Sequence, residues 1–114
     1  MDIVIIKNRI NKDELETIIK NNFGNMVKGV VDIDRKIIAL GGSLHADAEE
    51  ALLKNGSIQK YLWGFNIFSD KEKNARLEYT SFINIRPNDN NFSIELTDET
   101  LKNTIRSIVD QLIE

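Results

Sequence analysis

Apolar positions along the chain recur with two different periods, and the points where the period changes mark its elements. Ile3 to Ile6 form a short apolar run closed by Lys7-Asn8-Arg9, which predicts a strand buried on both faces. Leu15, Ile18, Ile19 and Phe23 then repeat at helical spacing. Asn11 precedes them with Glu14 three residues on, the pattern of a capping box, and Gly24 supplies a left-handed stop, so a helix is expected over Lys12 to Phe23. Met26 to Ile33 and Lys36 to Leu40 are rich in β-branched residues and predict a hairpin turning at Asp34-Arg35. Gly41-Gly42 ends the second of these strands, and a short helix follows with Asp47 as its cap, Glu50 at its third position and Gly56 beyond its end.

The second half reads most clearly at Tyr61 to Phe68 and Leu77 to Arg86, two alternating segments joined by the charged stretch Ser69 to Arg76. In the first, Trp63, Phe65 and Ile67 share one face while Gly64 and Asn66 share the other; in the second, Leu77, Tyr79, Ile83 and Ile85 oppose Glu78, Thr80, Asn84 and Arg86. Phe68 and Phe82 break the alternation. Pro87 closes the second strand, because it cannot donate to a ladder, and Asn88-Asp89-Asn90-Asn91 is turn chemistry. A last helix opens at Thr97 or Asp98 and carries Leu101, Ile105, Ile108, Val109 and Leu112 on one stripe. The order β-α-β-β-α-β-β-α predicts an α+β domain with a mostly antiparallel sheet of four or five strands and helices on one face.

Composition narrows the class. A chain of 114 residues with 41% hydrophobic and 29% charged residues has the makings of one folded domain, residues 1–114, and not of a disordered segment. It contains no cysteine, which removes disulfides, thiolate metal sites and cysteine nucleophiles. No apolar run approaches the ~20 residues that cross a bilayer, and the start lacks the pattern of a signal peptide, so a cytoplasmic protein without a membrane partner is expected. The net charge of −3, with Lys and Arg scattered among Asp and Glu, gives no field for a polyanion and argues against nucleic acid.

Candidate chemistry falls in two places, the segment Gly41 to Glu50 and the polar faces of the last two strands. His45 is the only histidine and the one side chain that titrates near neutrality, which makes it the candidate general base of an enzyme, with Asp47 or Glu49 to orient it. The competing reading is a histidine that hydrogen-bonds to fix a loop. Asn66, Asn84 and Arg86 lie on the side of the sheet away from the aromatic face; with His45 folded over them they form a polar binding site, Arg86 acting as an anion clamp or holding the loop through a carboxylate. His45, Asp47, Glu49 and Glu50 have no established metal spacing, so neither a metal nor another cofactor is expected. Gly41-Gly42-Ser43 lacks both the lysine of a P-loop and the glycine spacing of a dinucleotide fingerprint.

The motifs Gly41-Gly42-x-Leu44-His45-Ala46-Asp47, Leu62-Trp63-Gly64-x-Asn66 and Ile83-Asn84-Ile85-Arg86-Pro87 together resemble a family of small prokaryotic proteins catalogued as a domain of unknown function. The resemblance implies a stand-alone domain and brings no activity, ligand or catalytic residue with it. The sequence thus points first to a domain that binds a small molecule or a protein through His45, Asn66, Asn84 and Arg86. A hydrolase using His45 as base and a homodimer built on a strand edge or on the last helix are the alternatives.

Overall fold

The computed structural model describes residues 1–114 and builds an α+β fold on a five-stranded, wholly antiparallel sheet. The strands are β1 (Val4–Ile6), β2 (Met26–Asp32), β3 (Ile37–Leu40), β4 (Leu62–Phe68) and β5 (Leu77–Glu78), in the spatial order β1-β3-β2-β4-β5. The helices are α1 (Lys12–Lys20), α2 (His45–Lys54) and α3 (Glu99–Leu112). No helix is long and apolar enough to cross a membrane.

Helices cover both faces, where the sequence pattern predicts one. Leu15 and Ile19 of α1 and Ile105, Ile108 and Val109 of α3 pack on Val27, Val31, Ile38, Phe65 and Ile67. On the reverse side Ala48 and Leu52 of α2 pack on Val30, Ala39 and Leu62. The reason is visible in the strands. Val30-Val31 and Ile37 to Leu40 bury consecutive residues, so both faces of the central strands are apolar and both need a cover. Ile105, Ile108, Val109 and Leu112 of the α3 stripe lie in this core with Leu101 half-buried at its margin, and each of the buried aliphatic side chains contributes roughly 1.5–3 kcal/mol.

Local chemistry sets the boundaries. The Asn11–Glu14 capping box forms as the sequence predicts, Oδ1 of Asn11 accepting from the Glu14 amide at 2.8 Å. α1 ends at Lys20, three residues before the expected stop, because Asn22 turns its amide back to the Ile18 carbonyl and the Gly24 amide donates to the Ile19 carbonyl. The hairpin between β2 and β3 is closed by buried Asp32, whose Oδ1 accepts from the amides of Asp34 and Arg35. α2 begins three residues earlier than predicted, at His45 with Leu44 in the cap position. Asp47 is not its cap; it stands in the first turn and accepts from the Leu44 amide at 3.0 Å, while Glu50 pairs with Lys54 on the exposed side. β1 is an edge strand whose Val4 is exposed, rather than a strand buried on both faces.

The largest departure lies in the segment read as a strand over Leu77 to Arg86. Only Leu77 and Glu78 pair with β4. Ser81 then accepts from the Ile83 amide through its hydroxyl and starts a 3-10 turn over Phe82–Asn84, and a second such turn follows at Pro87–Asp89. The chain returns antiparallel to itself through bridges Thr80–Glu95 and Arg86–Asn91, so residues 79–96 form a bent ribbon beyond β5.

Candidate functional site

The ribbon is attached to β4 by side chains in place of a backbone ladder. Asn84, which is 0% exposed, accepts from the Gly64 amide through Oδ1 at 2.8 Å and donates from Nδ2 to the Gly64 carbonyl at 3.0 Å. A carboxamide presents one donor and one acceptor side by side, as a peptide unit does, and here it satisfies both backbone groups of the glycine. Gly64 must lack a side chain for this: a Cβ there would stand 2.5 Å from that of Ser81. Asn91 braces the ribbon internally by donating to the carbonyls of Asn84 and Ser93.

His45 opens α2 and turns inward, with only 8% of its surface exposed. Its Nε2 lies 2.9 Å from both the Phe65 carbonyl and Oδ1 of Asn66. The Asn66 amide is oriented independently, since its Nδ2 donates to Glu78 at 2.8 Å and to the Thr80 carbonyl. Both neighbours of Nε2 are therefore acceptors, and Nε2 carries the proton. Burial lowers the pKa of the ring, opposed by the hydrogen bond to Phe65 and reinforced by the charge of Lys28, so the ring is neutral at pH 7. A histidine whose Nε2 proton is shared between two fixed oxygens holds α2 on the sheet; it does not present that nitrogen to a substrate.

Arg86 serves the other end of β4. Its guanidinium lies 3.8 Å from the centre of the Trp63 ring and donates to the carbonyls of Gln59 and Lys60, tying the 3-10 turn Gln59–Tyr61 to the ribbon. Its nearest carboxylate is Asp89, at 3.9 Å, and burial lowers its pKa. Nη2 is buried without a partner. The arginine's accessible donors are thus committed to the carbonyls of Gln59 and Lys60, and it forms no ion pair with a carboxylate of the His45 segment.

Four predicted residues fall into two groups. His45, Asn66 and Asn84 share one polar layer between α2 and the sheet, joined through Glu78, Thr80 and Gly64. Arg86 does not join them, because its contacts begin at Trp63 while those of His45 begin at Phe65, with Gly64, Ser81 and Asn84 filling the space between. Asp47 is used at the start of α2. Glu49 and Arg86 line a cleft of about 450 Å³ that also includes Lys60, Phe82, Ile85 and Asp89 and excludes His45, while Asp47 lines a separate hollow with Ser43 and Glu50. No three histidine or carboxylate side chains converge on a point.

What the sequence reading missed is the outer side of the ribbon. Its polar residues Ser81, Asn84 and Asn91 are buried, while Phe82 is 81% exposed and Phe92 is 73% exposed, with Ile85 and Ile94 also open to water. The register of the Arg86–Asn91 bridge brings Ile85 opposite Phe92. The signal was present at Phe82, which breaks the alternation of its segment.

Neither a curated protein nor a solved structure matches this chain. A family model matches residues 4–112, and with them nearly the whole of the fold just described. The chain belongs to a family of proteins of unknown function, DUF5674.

Proposed function

We propose that this domain is a non-catalytic protein-binding module whose binding face is the outer side of the 79–96 ribbon. One observation carries the reading: the ribbon is inside out, with asparagines and a serine buried and hydrogen-bonded while two phenylalanines stand in water. Isolated apolar residues on a surface need no explanation, but large aromatics grouped on one segment are what interface centres are made of. Attachment through Asn84, with Asn91 bracing the ribbon internally, supports the reading further, because a face fixed before binding loses little entropy on binding.

The polar layer of His45, Asn66 and Asn84 is then the scaffold of the face. A hydrolase is the weaker reading, since the Nε2 proton of His45 is engaged and Arg86 lies apart from it. A cytoplasmic location and the absence of nucleic acid and membrane partners accord with the lack of cysteine and the net charge of −3. The test is selection of binders from a random peptide-display library on the folded domain. Peptides are expected whose binding is lost with Phe82→Asp and Phe92→Asp while the melting temperature stays in place. A set of binders indifferent to both substitutions would refute the proposal.

A further inference from the structure

We infer that the natural occupant of this face is a second copy of the same chain, the two ribbons meeting about a twofold axis. The inference rests on the protein-binding reading above and adds the identity of the partner. Two features of the face favour it: its charge and its extent.

The cleft beside Phe82 carries Glu49 and Asp89 against Lys60 and Arg86, two charges of each sign around an apolar centre. Arg86 is already engaged with carbonyls of its own chain, with Trp63 and with Asp89, which leaves exposed Lys60 as the available cation and Glu49 as the carboxylate without a partner in its own chain. A strongly acidic or basic partner gains no net attraction from such a surface. A twofold axis does match it, because every contact occurs twice and Lys60 of each copy can meet Glu49 or Asp89 of the other.

The extent of the face fits as well. A large aromatic buries ~150–250 Å² when fully covered, so Phe82 and Ile85 on the cleft, with Phe92 opposite Ile85, offer the centre of an interface that needs ~800 Å² from each partner. The remainder is a polar rim, as in most interfaces of that size. Since the ribbon is fastened to β4 by buried Asn84 and Asn66 and braced internally by Asn91, docking requires no refolding of either copy.

Sedimentation velocity over a wide concentration range on the whole chain tests this directly. A reversible dimer is expected, converted to monomer by Phe82→Asp with an unchanged circular-dichroism spectrum and melting temperature. Lys60→Glu should weaken the dimer at least about tenfold, and adding Glu49→Lys and Asp89→Lys to it should restore association by exchanging the signs. A wild-type chain that stays monomeric up to the highest soluble concentration overturns the inference, as does a dimer indifferent to Phe82→Asp. The first of these results leaves the peptide-selection test standing, so failure of the dimer and failure of the protein-binding face are told apart.

Discussion

The two sides of β4 are joined to the rest of the sheet by different means. Toward β2 the pairing runs without interruption from Asp32–Leu62 to Met26–Phe68, and the chain's own peptide groups carry it. Toward the ribbon only Asn66 and Ile67 pair with β5, after which the amide of Asn84 takes over at Gly64. A ladder distributes its hydrogen bonds over many residues, so one side chain is dispensable. The ribbon concentrates its attachment in a few side chains, the buried carboxamide of Asn84 foremost. This leaves its apolar side chains free to point outward, because they are not needed to hold it.

That contrast is best broken at Asn84. Asn84→Ala should cost about 3 kcal/mol in urea unfolding, since the amide and carbonyl of Gly64 lose their partner in a buried place. A substitution of similar size on the ladder side, such as Val27→Ala, acts through a cavity instead and should leave the ribbon's hydrogen-exchange protection intact, whereas Asn84→Ala should abolish it. Equal loss of protection in both variants would show that the two sides do not differ as described.

A smaller effect is expected from His45, which fastens α2 over the same layer. Its folded-state pKa lies below the value of 6.5 that applies in an unfolded chain, because burial disfavours the charged ring. The unfolded chain therefore takes up the proton first as pH falls. The stability that neutral His45 contributes is complete above pH 6.5 and is lost as pH drops through the folded-state pKa. As the chain has one histidine, a proton NMR titration of its ring reads this directly, and the loss of stability should be absent in His45→Gln. A titration midpoint at or above 6.5 would contradict the buried, neutral ring.

The smallest effect belongs to the outer aromatics. Phe82→Ser should change stability by no more than ~0.5 kcal/mol in the monomer, since most of that ring already stands in water. A loss of several times that size would mean that Phe82 packs against its own chain and is not part of a face held for a partner.

Much of this architecture was legible in the residues. Periodicity gave the stripe on α3 and the aromatic face of β4, and the Asn11–Glu14 spacing gave the start of α1, because each depends on neighbours a few positions away. The polar candidates were legible as residues but not as roles. Asn66 lies on the side of the sheet away from the aromatic face, as alternation required, and His45 meets it there, yet whether a polar layer is open or sealed depends on what covers it, and α2 covers it.

The segment over Leu77 to Arg86 marks the limit. Its alternation is that of a strand, and nothing within it announces that Asn84 will take the place of a backbone partner. That outcome needs Gly64, twenty residues away, to leave room for Ser81 and to offer its amide and carbonyl. The sequence by itself determined the α+β class, the helical stripes and the identity of the central strands, because these follow from local spacing of apolar groups. Tertiary structure alone decided that helices cover both faces, that Arg86 stands apart from His45, and that Phe82 and Phe92 face water. Each of those depends on which groups meet across the sheet, and hydrogen bonds between distant residues leave no period in the chain.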